Sequence, residues 1–132
     1  MTDAPAGARF STDHLWVLSR GQGALARVGV TDFAQDSMGD VTAVTAPGVG
    51  TVITAGVACG QIESLKSAND LVAPVTGTVR GRNESLEKDP SLINSYPYGE
   101  GWLFDVEVES PALGDQMNKL MSASDYQRLV VG

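Results

Sequence analysis

Glu63-Ser64-Leu65-Lys66-Ser67-Ala68-Asn69-Asp70 gathers one amine, two side-chain hydroxyls and two carboxylates into a single short segment. Of these groups the Lys66 amine is the one that can carry an acyl group as a stable amide. Turn formers Ser67, Asn69 and Asp70 follow Lys66, which predicts a hairpin with the lysine at its tip. An external ligase can reach an amine there while the flanking strands hold it up. The same position suits an ordinary solvated lysine, and the residue pattern alone leaves both readings open.

The other chemically able residues point to packing. His14 is the single histidine, so a multi-histidine metal site is excluded and no metal is expected. It is expected to pack or hydrogen-bond beside Trp16. Cys59 is the single cysteine and cannot form an internal disulfide, which fits a reducing cytoplasm. Lying in an apolar, strand-like stretch, it is expected to be a small core residue. Trp102 is read as a core anchor, and Tyr96-Pro97-Tyr98-Gly99 as a turn able to touch a partner. Nucleophile elbows, phosphate-cradling glycine loops and paired metal-ligand motifs are missing, so nothing argues for catalysis by the chain alone.

Charge narrows the partners. Sixteen acidic against nine basic residues give a net charge of −7. That disfavours nucleic acid and anionic membrane, and suits a monomeric protein that meets others through complementary charge. No apolar run approaches the roughly 18 residues of a membrane span. Met1 to Phe10 has neither a secretion nor a transit layout, so a cytoplasmic location is expected. With 132 residues, 42% of them apolar, the whole of 1–132 is expected to be one domain around one core.

The elements that must hold Lys66 are mostly strands, since fifteen glycines and six prolines are scattered as turn punctuation. Strands are expected at His14–Arg20 and Ala24–Val30, joined by the turn Gly21-Gln22-Gly23. Thr31 reads as an N-cap and Gly39 as a stop for a two-turn helix that turns Phe33 and Met38 inward. Further strands are expected at Asp40–Ala46, Thr51–Ala55, Gly60–Ser64, Leu71–Val75 and Thr78–Arg82. Trp102–Glu109 alternates apolar and mostly acidic residues, as on a half-buried antiparallel sheet. Ser110-Pro111 opens a helix with an apolar stripe of Leu113, Met117, Leu120 and Met121. Ser124-Asp125 starts a second helix burying Tyr126, Leu129 and Val130. Strands this closely spaced predict a sandwich or barrel. Ala46-Pro47-Gly48-Val49-Gly50-Thr51-Val52 is echoed by Ala73-Pro74-Val75-Thr76-Gly77-Thr78-Val79, which would make two similar β-halves with Lys66 between them.

Three blocks in order resemble the glycine cleavage system H protein family. They are Gly29-Val30-Thr31-Asp32-Phe33-Ala34-Gln35 with Gly39-Asp40, then Glu63-Ser64-Leu65-Lys66 with Asp70 and Ala73-Pro74-Val75-Thr76-Gly77. Last come Asn83, Leu86, Pro90, Leu92, Asn94, Pro97-Tyr98-Gly99 and Gly101-Trp102. The resemblance spans about Phe10 to Val108. It implies a lipoyl-domain-like, mainly β barrel-sandwich hybrid of antiparallel strands with short helices and a C-terminal helical segment. It implies lipoic acid in amide linkage to Lys66, on an arm about 14 Å long from a dozen bonds. The chain would then be a carrier and co-substrate, not an enzyme. It would shuttle an aminomethyl intermediate among glycine decarboxylase, a folate-dependent aminomethyltransferase and dihydrolipoamide dehydrogenase, after loading by a lipoate ligase or lipoyltransferase. Glu63, Ser64 and Asp70 would lie near the arm or mark it for the ligase, and Asp70 would help hold the cationic cargo.

The resemblance departs at Asp13-His14-Leu15-Trp16, where the family usually carries Ser-His-Glu-Trp. Leu15 replaces a glutamate implied in shielding the loaded arm, and Asp13, two positions away on the same strand face, is a candidate substitute. The stretch Val41-Thr42-Ala43-Val44-Thr45-Ala46-Pro47 is also altered. These departures raise an alternative, an H-like lipoate-binding protein carrying sulfur for a heterodisulfide-reductase-like complex. A biotin carrier would instead flank the lysine with methionines, where this chain has Leu65 and Ser67. An unmodified interaction module that keeps only the fold is the remaining class.

Overall fold

Strand alternation in the sequence becomes two antiparallel sheets. The computed structural model describes residues 4–21, 24–109 and 111–131. In chain order the elements are β1 (Arg9–Phe10), β2 (Leu15–Ser19), β3 (Leu25–Val30), α1 (Asp32–Met38), β4 (Val41–Thr45), β5 (Val52–Ile53), β6 (Ala58–Ser64), β7 (Ala68–Val72), β8 (Gly77–Arg82), α2 (Ser85–Lys88), α3 (Leu92–Ser95), β9 (Phe104–Glu107), α4 (Leu113–Asn118) and α5 (Ala123–Val131). The larger sheet has the order β1-β2-β3-β9-β8-β5 and the smaller β4-β6-β7. One apolar core unites them: Val17, Val28, Phe104 and Val106 of the larger sheet meet Val41, Ile62 and Leu71 of the smaller. Each such side chain contributes about 2 kcal/mol of burial.

β9 shows the expected alternation, with Phe104, Val106 and Val108 buried while Asp105 and Glu107 are half-exposed. Its start differs from expectation. Leu103 is buried and Trp102 only half-buried, because the Leu103 amide reaches back to the Val28 carbonyl at 2.8 Å. Trp102 therefore packs at the margin of a smaller apolar cluster rather than deep in the core, and its ring is also a platform: the Arg27 guanidinium lies 3.7 Å above it and pairs with Asp105 at 2.9 Å. Trp16 is the deeply buried tryptophan, its indole N–H donating to the Pro97 carbonyl at 3.0 Å.

The Ala-Pro-x-x-Gly-Thr-Val echo has a structural counterpart. Its two copies meet at Val52 opposite Thr78, and the register continues just beyond the first copy with Ile53 opposite Gly77. Shifting each residue of that register onto its echo returns the same register, so the two copies meet about a local pseudo-twofold.

Other expectations shift at the ends of elements. Thr31 does cap α1, accepting from the Ala34 amide at 3.1 Å, and Gly39 ends it at φ 78°. Phe33, however, is 41% exposed, while Met38 packs against the core. α4 stops at Asn118, so Met121 leaves the helical stripe and instead bridges to Phe10 in the strand manner. Leu129 is exposed where burial was expected. Helices α2 and α3, a single turn each, are too short to show a periodicity. The expected turn residues Gln22 and Gly23, and the expected cap Ser110, lie outside the described residues.

A second, smaller cluster of Ala8, Phe10, Trp16 and Tyr126 fastens α5 to the larger sheet. Phe10 and Tyr126 stack at 4.8 Å. The Tyr126 hydroxyl sits between His14 Nδ1 at 2.8 Å and Thr31 Oγ1 at 2.7 Å. His14, expected beside Trp16, turns to Tyr126 and Phe33 because its own backbone adopts φ 66°. Burial, with a smaller contribution from Tyr98, pushes the Tyr126 hydroxyl up to about 12, against an opposing pull from Thr31.

Two consequences are measurable. Tyr126→Phe leaves His14 and Thr31 without their shared partner, and urea unfolding at neutral pH should show a loss of about 1–2 kcal/mol. Since Tyr126 holds its proton more tightly folded than unfolded, its contribution is complete below pH 10 and is lost as pH rises toward 12. The stability gap between wild type and Tyr126→Phe should therefore be level up to pH 10 and narrow above it.

Candidate functional site

The β6–β7 hairpin carries Lys66 at its tip. Glu63 faces Ala68, Ile62 faces Asn69 and Gln61 faces Asp70, leaving Leu65-Lys66-Ser67 as the connection. Asn69 and Asp70, expected in the turn, belong instead to β7. That strand is an edge of the smaller sheet, so polar side chains there remain hydrated. Ile62 and Leu71 point into the core and anchor the hairpin from below.

Ser64 forms the turn. Its hydroxyl accepts from the amides of Lys66 and Ser67, both at 3.2 Å, and its own amide donates to the Ser67 carbonyl at 2.8 Å. The Leu65 amide donates to the Asp40 carbonyl at 3.0 Å, which ties the tip to the start of β4. Leu65 is left 75% exposed and Lys66 is exposed beside it. Among the described residues no carboxylate is ion-paired with the Lys66 amine.

The Lys66 stem does not stand free along its length. It lies back over Gly39, where a Cβ would come within 3.2 Å of Lys66 Cε. Gly39 is required for its positive φ at the end of α1, and the flexible Lys66 stem packs against it. Beneath it, Asn94 of α3 donates to the Gly39 carbonyl at 2.9 Å and to Gln35 Oε1 at 3.1 Å, and accepts from the Val41 amide at 2.9 Å. One carboxamide therefore holds the end of α1, the start of β4 and, through Asp40, the hairpin tip. Gly39, Asp40 and Asn94 stood among the residues that carry the family resemblance, but nothing in their spacing assigned them to the lysine.

Glu63 and Asp70 are both exposed, and the register places them on the outward face of the hairpin, in pairs two steps apart. Asp13 and Leu15 are not part of this arrangement. The strand begins only at Leu15, and the left-handed backbone of His14 breaks the alternation on which a shared face depended. Leu15 is 2% exposed within the main core, whereas Asp13 is exposed in the preceding turn. Cys59 is half-buried against the core, and burial pushes its thiol up, away from the reactive thiolate.

Comparison with known proteins matches this geometry. Residues 8–131 match the family model for the glycine cleavage H-protein. The chain is 46% identical over 126 residues to a glycine cleavage system H protein of Micrococcus luteus, covering 96% of each chain. Identity to the H protein of Mycolicibacterium smegmatis is 45%, covering 98% of each. The crystal structure of a glycine cleavage system H protein from Mycobacterium marinum superposes with a TM-score of 0.83 at 34% identity, over 97% of this chain and 99% of that one. With its blocks in order, its two sheets and its lysine-tipped hairpin, this chain belongs to the glycine cleavage H-protein family.

Proposed function

We propose that the chain, acting as one domain, is a lipoyl carrier of the glycine cleavage system, loaded on Lys66. The observation that carries this is the exposed, unpaired amine on a turn whose every backbone donor is tied down. The site fits an acyl group on Lys66: the amine is open to a ligase, and the stem has a bed on Gly39 that no side chain fills. A lipoyl group bound there would supply a disulfide that opens to accept a one-carbon amine fragment and closes again on reoxidation. The partners would be glycine decarboxylase, the folate-dependent aminomethyltransferase, dihydrolipoamide dehydrogenase and the loading ligase or lipoyltransferase.

The chain's own residues present the amine and offer charge around it; none needs to make or break a bond. Ser64 fixes the direction in which Lys66 leaves the backbone. Glu63 and Asp70 give the outward face of the hairpin a negative field, suited to a basic ligase surface and to a cationic cargo. Asp13, exposed in the turn before β2, is given no role in this reading. Leu15, the departure that raised a sulfur-carrying alternative, is a core residue, and no observation favours that alternative. No helix of the described chain is long and apolar enough to cross a membrane, in keeping with a cytoplasmic carrier.

Coexpression with a lipoate ligase should add one lipoyl mass, mapped to Lys66 by peptide sequencing. Lys66→Arg should abolish both this gain and glycine–bicarbonate exchange with glycine decarboxylase, while its melting temperature stays at the wild-type value. A fully active Lys66→Arg protein would overturn the assignment. Asn94→Ala, which strands the Gly39 carbonyl and the Val41 amide, should lose about 2 kcal/mol of stability in urea unfolding and slow loading of Lys66.

A further inference from the structure

α1 has a second side that the carrier chemistry leaves unused. Between α1 and α5 runs an open groove of about 680 Å³. Its walls include the rings of Tyr98 and Tyr126, and it is bordered by two exposed apolar side chains, Phe33 on α1 and Val131, 74% exposed, on α5. Burying such groups requires an apolar counterpart. Among the described residues the charged side chains lining the groove are all acidic, Asp32 and Asp36. Asp32 already accepts from Gln35 Nε2 at 2.8 Å, whereas Asp36 has no cation beside it among the described residues.

The charge pattern selects the occupant. A second copy of this chain would bring another acidic rim and another net charge of −7 to the contact, so self-association is opposed. A surface bearing lysine or arginine around an apolar side chain is complementary in both respects. Position adds the functional link. The groove runs along α1, and the far end of that helix is Gly39, on which the Lys66 stem rests. Seven residues make α1 about 10 Å long, so whatever fills the groove is held beside the lysine rather than across the molecule.

We propose that this groove is a docking face for a partner enzyme of the carrier cycle, seating a basic segment with an apolar anchor next to Lys66, an inference that rests on the carrier function above. The probe is the unmodified chain, titrated calorimetrically into purified glycine decarboxylase, aminomethyltransferase and dihydrolipoamide dehydrogenase in turn, at low and high salt. Phe33→Ser and Asp36→Lys should each weaken binding to at least one of the three by about tenfold. Wild-type affinity for that enzyme should fall as salt rises. Asp36→Lys should keep the wild-type melting temperature, Phe33→Ser should melt slightly lower because the Phe33 ring also meets His14 at 4.9 Å, and both should keep the wild-type mass gain at Lys66. Equal affinities of wild type and variants for all three enzymes would overturn the docking face, as would no binding to any. Wild-type dimerisation lost in Phe33→Ser would overturn it in favour of a second copy. A wild-type chain that gains no mass at Lys66 would instead overturn the carrier function, whatever the titrations show.

Discussion

The side-chain amide of Asn94 is the joint on which the presentation of Lys66 depends. It satisfies a carbonyl at the end of α1 and an amide at the start of β4, two backbone groups that a helix and a strand each leave over at their ends. A carboxamide offers donors and an acceptor on one rigid plane, which an ionised aspartate or a leucine cannot. With that corner fixed, the Asp40 carbonyl meets the Leu65 amide, and the hairpin tip inherits its position from a helix nearly thirty residues further on.

A carrier faces two opposed demands: the amine must be accessible, and its root must not wander. The hairpin separates them by depth. Ile62 and Leu71 are fully in the core, the Ser64 hydroxyl clamps two amides above them, and the tip residues Leu65, Lys66 and Ser67 are exposed to solvent. Close approach within the smaller sheet supports the same arrangement. A Cβ on Gly60 would fall 2.3 Å from the Thr45 carbonyl oxygen, so β4 and β6 can lie this close only because that residue is glycine.

Much of this was legible in the residues. Alternation in Phe104 to Val108, the Thr31 cap and the Gly39 stop are local signals, and each found its place, whereas of the turn formers expected after Lys66 only Ser67 stayed in the turn. The seven-residue echo was legible as a pattern, and its meaning, two copies pairing with each other, came only from the register. What stayed hidden was non-local. The roles of Asn94 and Gly39 depend on contacts with segments far away in sequence. Helices of one turn carry no period. The face shared by Asp13 and Leu15 was inferred from strand alternation, which a single left-handed residue, His14, was enough to cancel.

Leu15 shows how a departure from a family pattern changes meaning once placed in space. In the sequence it is a missing carboxylate, and so a question about what the arm carries. In the fold it is a leucine in the main core, contributing about 2 kcal/mol of burial where an unpaired glutamate would have to be desolvated. A charge at that position would demand a neighbour to receive it, and the neighbours here are apolar. The negative groups beside the lysine therefore come from the hairpin itself, Glu63 and Asp70, which remain in water and need no compensating partner. Carboxylates placed this way stay hydrated on the outward face of the hairpin, which spares the fold the desolvation that a glutamate at the position of Leu15 would bring.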